Sequence, residues 1–296
     1  MFLPTSAPEV AGVLLRQCAI AIGAAFASGC STAPLVSTAP NATWMLVWSD
    51  EFDGAAGSRV DATKWNYETA DGCKQGICGW GNNEKEFYTD APENISLNGQ
   101  GKLMIVARAA PAGLKCYYGP CRYTSGKATT RNKMLAEPGR VVARIKLPSG
   151  QGLWPAFWML GYTSPTTPWP DCGELDIMEN KGSQPATTSS ALHGPGYSGQ
   201  TPFAHANSLA SGALSDDFHT FAVEWDSLRV RFFVDDALHY EITRAAVERY
   251  GRSVLDQPYF VIINLAVGGH FDGDPQSDAI FPATMLVDYV RVYARQ

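Results

Sequence analysis

From Trp44 onward the chain reads as short apolar or alternating runs separated by Gly, Pro, Asn and Asp. Leu103 to Ala107, Arg140 to Leu147, Phe218 to Trp225 and Val230 to Val234 each carry the two-residue period or the apolar density of a strand. Within Arg140 to Leu147, Val141, Ala143, Ile145 and Leu147 fall to one side, and Arg140, Val142, Arg144 and Lys146 to the other. Only Arg244 to Tyr250 looks helical. Strands at this density, punctuated by 28 glycines and 19 prolines, predict an all-β fold. Its form would be a sandwich or jelly roll of two packed antiparallel sheets, one of them with a concave face.

One stretch breaks the rule that charge stays on solvated faces. In Gly173-Glu-Leu-Asp-Ile-Met-Glu-Asn180, Glu174 to Ile177 alternate as a strand with one polar face. On a helix Glu174 and Asp176 would point about 200° apart. Uninterrupted alternation would put Met178 beside the acids and turn Glu179 into the core. A bulge at Ile177 or Met178, with two residues opposing one on the neighbouring strand, brings Glu179 back into line.

Three acids on one face repel one another and lose water together, which stability alone does not explain. Double displacement at a sugar needs a carboxylate nucleophile and a second carboxyl that is acid and then base, roughly 5 Å away. With the bulge, Glu174 and Glu179 lie four strand steps apart, about 13 Å between α-carbons, so their side chains must lean together. Asp176, between them, would hydrogen-bond the nucleophile and help keep its neighbour protonated. A solvated acidic face and a calcium or magnesium carboxylate site are the other readings of these residues.

The length of 296 residues and 45% hydrophobic content suit one large β domain. A net charge of −6 leaves no basic surface for nucleic acid. Gln17 to Gly29 is uncharged and mostly apolar, too short to span a bilayer easily, and ends in Phe26-Ala-Ser-Gly-Cys30. Residues 1–29 therefore read as an export signal of lipoprotein type, with Cys30 the lipidated first residue of the mature chain; simple secretion is the alternative. Residues 30–43 read as a flexible tether and 44–296 as a single domain. The expected location is the bacterial cell envelope or the medium, with membrane contact only through the lipid anchor.

Cys73 and Cys78 bracket a short loop, as do Cys116 and Cys121. Two local disulfides or a cross-pairing would suit an oxidising compartment, leaving Cys172 unpaired. Zinc is the other reading, although these gaps are wide for zinc and no histidine is near. Trp154, Trp158 and Trp169 precede the acids, and flat indoles can lie against sugar rings. Alternation puts Trp154 and Trp158 on one face, and one of the three is expected to be buried as core.

Taken together these residues resemble glycoside hydrolase family 16, and within it the laminarinase-type endo-β-1,3-glucanases. The resemblance spans nearly all of residues 44–296. It rests on Trp48-Ser-Asp-Glu-Phe-Asp-Gly54, Gly79-Trp-Gly-Asn-Asn-Glu84, Gly139 to Pro148, Gly152 to Gly161, Gly173 to Asn180, Leu192-His-Gly-Pro-Gly-Tyr197, Phe218 to Trp225, Asn264-Leu-Ala-Val-Gly-Gly269 and Asp288 to Tyr293, in that order. Lys127 departs from the pattern, where arginine is commoner, as does Gly269-His-Phe-Asp-Gly273.

The resemblance implies a β-jelly roll and a retaining endo-glycosidase acting on β-1,3-glucan, with no cofactor for catalysis and a monomeric chain. It makes Glu174 the nucleophile, Asp176 the assisting acid and Glu179 the general acid/base. Trp154, Trp158 and Asn82 would line the glycone side of the cleft, with Trp169 nearby and His193 on the aglycone side. Glu84, His219 and His270 are read as structural or rim residues. The resemblance also implies a structural calcium on the convex side, held by the carbonyls of Glu51 and Gly101 and the carboxylate of Asp288. The nearest alternatives are a mixed-linkage β-1,3-1,4-glucanase or a transglycosylase. A non-catalytic β-glucan-binding protein is the alternative from another class.

Overall fold

The computed structural model describes residues 43–199, 201 and 203–296. The export segment, Cys18, Cys30 and the tether up to residue 42 lie outside the described residues. In chain order the strands are β1 (Trp44–Asp50), β2 (Asn66–Tyr67), β3 (Glu86–Tyr88), β4 (Ile95–Leu97), β5 (Leu103–Ala109), β6 (Lys115–Cys116), β7 (Gly119–Pro120), β8 (Tyr123–Ser125) and β9 (Lys127–Thr129). There follow β10 (Arg140–Lys146), β11 (Leu153–Gly161), β12 (Glu174–Asn180), β13 (Thr187–His193), β14 (Phe203–Ser208) and β15 (His219–Trp225). The last are β16 (Arg229–Val234), β17 (Ala237–Thr243), β18 (Tyr259–Val267) and β19 (Ala283–Arg295), with one helix, α1 (Arg244–Val247), between β17 and β18. The helical segment is shorter than the sequence pattern implied.

Two sheets carry the fold. One runs β17-β16-β15-β10-β19-β5-β8-β3, with β1 added to β19 and β4 to β5. The other, which carries the acids, runs β14-β13-β12-β11-β18-β9-β2. Pairing is antiparallel as expected, except that β3 and β8 run parallel. The predicted alternation of β10 holds for its core face, where Val141, Ala143 and Ile145 are wholly buried; on the other side Arg140, Arg144 and Lys146 are not, but Val142 is buried outside the main core. A single large core of side chains such as Leu103, Ile105, Phe157, Leu175, Phe221, Val261 and Leu265 lies between the sheets. Each fully buried aliphatic or aromatic side chain there contributes about 1.5–3 kcal/mol, so the core carries the fold.

Strand β18 is buried on both faces. Its inward side chains join the main core, while Phe260 and Ile262 pack with Leu160, Cys172 and Trp158 in a second, smaller cluster. Both cysteine loops close locally, as Cys73–Cys78 and Cys116–Cys121, and Cys172 is a buried free thiol. No described helix is long and apolar enough to cross a membrane.

Candidate active site

The register of β12 settles where its three acids point. Against β11, Glu174 faces Leu160, Asp176 faces Trp158 and Glu179 faces Ala156, with the register slipping between Phe157 and Trp158. Against β13 the partners are His193, Ala191 and Ser189, with a slip between Asp176 and Glu179. Both partner sets step by two residues, so each lies on one face of its strand, and so do the three acids. The bulge falls at Ile177 and Met178, whose side chains are buried, and Glu179 turns back toward the cleft as expected.

The strand is entered through Gly173 at φ 79°, where a Cβ would lie 2.6 Å from Gln257 Nε2 and 2.8 Å from Val254 Cβ. Only glycine accepts both that backbone and that closeness.

The acids sit in a cage of nitrogen donors and rings. His193 Nε2 lies 3.1 Å from Asp176 Oδ2 and 3.8 Å from Glu174 Oε1. These are ion-pair distances without hydrogen-bond alignment, since Asp176 Oδ2 and His193 Nδ1 are both buried without a partner. Trp169, half exposed, stands 5.9 Å from the His193 ring. At the other end Trp154 Nε1 donates to Glu179 Oε1 at 3.0 Å, and its ring stacks on Phe271 at 4.8 Å. Trp158 Nε1 donates to Asn264 Oδ1 at 2.7 Å.

Burial pushes every one of these carboxyls toward the protonated form. Loss of water, then the nearby Asp176, lifts Glu174 well above the ordinary range, against the pull of His193. Burial lifts Asp176 to about 8. Burial and then Asp176 lift Glu179 to about 8, against the Trp154 hydrogen bond. At neutral pH the three therefore share protons and carry fewer than three charges. With a proton on Asp176, the main repulsion on Glu174 disappears and His193 favours its ionisation.

All the residues singled out on β11, β12 and β13 meet at this site, on neighbouring strands. Trp154 and Trp158 lie on the β11 side of the acids and His193 on the β13 side. None of the three tryptophans is fully buried, contrary to expectation: Trp154 and Trp158 are half-buried and Trp169 is 49% exposed. Their indoles lie beside the acids on the open face of the sheet, so burial on one side only is what their place allows.

Asn82 is exposed, its Nδ2 donating to Glu84 Oε1 at 3.1 Å. Gly269, at φ 90°, lets the Gly269–Gly273 loop approach, since a Cβ there would lie 2.7 Å from the Asn82 carbonyl. That loop is tied to β11 through Asp272, which accepts from the Gly152 amide at 2.8 Å.

The two departures from the family pattern both come to the site, by contacts the sequence did not show. Phe271 arrives on that loop, and Lys127 Nζ sits 3.9 Å over the Trp80 ring and 5.3 Å from that of Trp158 while pairing with Glu68 at 2.9 Å. Glu84 is structural, one of the two roles expected of it: it is buried beside Glu86, and Tyr88 OH donates to it at 3.3 Å. Burial and then Glu84 push Glu86 well up, so Glu86 keeps its proton. His219 pairs with Asp235 at 2.7 Å, away from the acids, and His270 is exposed.

Two of the three donors expected for calcium, the Asp288 carboxylate and the Gly101 carbonyl, are engaged otherwise. Asp288 Oδ1 lies 2.7 Å from Lys102 Nζ and Oδ2 lies 2.6 Å from an Arg144 nitrogen. Lys102 Nζ also donates to the Gly101 carbonyl at 3.2 Å, and the Glu51 carboxylate grips Arg291 at 2.9 and 2.8 Å. Burial works against charge on Asp288, but Lys102 and Arg144 outweigh it and hold its carboxyl below the usual range. A tethered ammonium therefore stands against two of the three expected oxygens, where hard oxygen ligands would otherwise face a dication. Glu174, Asp176 and His193 also offer ligand atoms within 4.8 Å of one another.

The family described as Glycosyl hydrolases family 16 matches residues 80–291. The glucan endo-1,3-beta-glucosidase A1 of Niallia circulans is 36% identical over 85% of this chain, which spans 38% of that protein's length. The beta-glucanase of Rhodothermus marinus is 38% identical, with 84% of this chain and 85% of the relative covered. Among solved structures, the laminarinase catalytic domain of Thermotoga maritima superposes with a TM-score of 0.80 at 42% identity, covering 86% of this chain and 99% of that one.

Proposed function

The chain belongs to glycosyl hydrolase family 16, and on that premise we propose that it cuts internal β-1,3 bonds of laminarin-like glucans with retention of configuration. One observation carries the reading: the bulge at Ile177 and Met178 puts Glu174 and Glu179 on the same cleft face, with Asp176 between them.

In the first step Glu174, ionised, attacks the anomeric carbon, and Glu179 gives its proton to the departing glycosidic oxygen. A carboxyl pushed up to about 8 still holds that proton at neutral pH. In the second step Glu179, now a carboxylate, takes a proton from water as the water attacks the same carbon and the bond to Glu174 breaks. Protonated Asp176 supports Glu174 as it departs, and His193 steadies Asp176 from the β13 side. Trp154, Trp158 and Asn82 hold the glycone, while Trp169 and His193 border the aglycone. No cofactor takes part.

Export supports the same reading. Two local disulfides suit an oxidising compartment, and residues 1–29 with lipidation at Cys30 would deliver a monomer to the cell envelope. Labelled fatty acid appearing on the protein and disappearing from Cys30→Ser tests the anchor. Lys102 is taken to fill the place of a structural calcium.

The catalytic reading is tested by reducing ends released from laminarin, lichenan and agarose, with Glu174→Gln as control and NMR of the first product. Laminarin should be cut to the β-anomer and Glu174→Gln should be nearly inactive. Faster release from lichenan would make the chain a mixed-linkage enzyme. No release from any glucan by folded protein would make it a binding module.

A further inference from the structure

We propose that Ser190 and His239 are positioning residues that pin the catalytic bulge from behind, so that Glu179 stays on the cleft face. The proposal rests on the acid/base role given to Glu179 above.

Strand β13 offers Ser190 alone across from Ile177 and Met178, because its register passes from Ala191 against Asp176 to Ser189 against Glu179. Ser190 is wholly buried and faces the sandwich interior, on the opposite side of β13 from His193. Its Oγ donates to the Ile177 carbonyl at 2.8 Å. The bulge is thus held by a side-chain hydrogen bond in addition to the strand ladder.

The second member comes from the other sheet. His239 on β17 places Nε2 3.2 Å from Ser190 Oγ. A serine hydroxyl has one proton, and Ser190 gives it to Ile177, so the imidazole must be the donor and carry its hydrogen on Nε2. His239 Nδ1 is then a bare lone pair, which agrees with its being buried without a partner. The stacked His205 ring lies 5.9 Å from His239, and Tyr240 beside it stacks on His205 at 5.2 Å. Burial and then His205 push His239 down to about 4, so the neutral donor form persists at neutral pH.

The relay therefore runs from the His239 Nε2 hydrogen to the Ser190 hydroxyl to the Ile177 carbonyl, joining the edge strand of one sheet to the bulge of the other. Its purpose follows from the two registers open to β12. With the extra residue accommodated, Glu179 faces the sugar; without it, the regular pleat would present Met178 there. A hydrogen bond to the Ile177 carbonyl favours the first.

The test compares two substrates in one preparation. On laminarin the departing oxygen needs the Glu179 proton, whereas a 2,4-dinitrophenyl β-laminarioligoside departs without it. Ser190→Ala should lose at least about tenfold in kcat on laminarin, with KM nearly unchanged, as expected for a misplaced general acid. The burst of dinitrophenolate should keep its wild-type rate. Because the comparison is a ratio, a reduced folded fraction cancels. His239→Gln, whose amide can donate to Ser190, should stay within about threefold of wild type, and His239→Phe should fall toward Ser190→Ala. Equal loss on both substrates, or wild-type kcat in Ser190→Ala, would overturn the proposal. Inactivity of the wild type on laminarin would instead overturn the catalytic reading itself.

Discussion

Trp154 grips Glu179: the indole Nε1 donates to the carboxyl Oε1 at 3.0 Å while Phe271 backs its ring. That hydrogen bond favours the carboxylate and so holds down a pKa that burial has raised to about 8. Trp154→Phe removes it. Glu179 should then titrate higher, and because the first step needs its proton, the basic limb of kcat/KM against pH should move to higher pH. The maximum rate should fall as the carboxyl loses its anchor. A pH–rate profile of both proteins checks the direction.

Glu174→Gln and Glu179→Gln should each lose about 10²-fold or more in kcat on laminarin. Both carboxyls have pKa values raised by folding. The folded state therefore binds protons more tightly, and the stability this gives at low pH is lost as pH rises above the ordinary carboxylate range, for Glu179 toward about 8. Glutamine removes that loss at one site. The melting temperature of each variant, compared with wild type, should be more favourable at pH 8 than at pH 4.5, which calorimetry at the two pH values measures.

The same sign applies at Glu86. Glu86 is buried beside Glu84, holds its proton, and accepts from the Val267 amide at 2.7 Å through its other oxygen. Glu86→Gln keeps both an acceptor and a donor in place, so kcat should be unchanged and the decline of melting temperature between pH 5 and 9 should be shallower. Glu84→Leu strands Asn82 Nδ2 and Tyr88 OH, and should weaken substrate binding, read as a higher KM.

Lys102 gives a prediction about metal. With its ammonium on Asp288 and on the Gly101 carbonyl, a chelator should leave the melting temperature of the wild type unchanged. Lys102→Ala frees these oxygens and should lower the melting temperature. Added calcium should restore part of the loss in that variant alone.

The strands of this protein and the common face of its acids are legible in the sequence because both depend on local alternation. The spacing from Glu174 to Glu179 is odd, so a common face required an extra residue, and the bulge lies at Ile177 and Met178 as that count demands. Short cysteine spacing likewise allowed the two local disulfides. What stayed illegible depends on loops and side-chain reach. Phe271 meets Trp154 only because Gly269 lets its loop come close to Asn82. Lys102 reaches Asp288 across a separation that no pattern encodes, and the two form an ion pair. The Ser190–His239 contact joins two sheets, and nothing in either strand marks it.

The strand order leaves the catalytic strand off centre. On one side of β12 lie β13 and β14, and on the other β11, β18, β9 and β2. At about 4.8 Å per strand these floors measure roughly 10 Å and 19 Å. A polymer laid across them has nearly twice the footing beyond Trp154 that it has beyond His193.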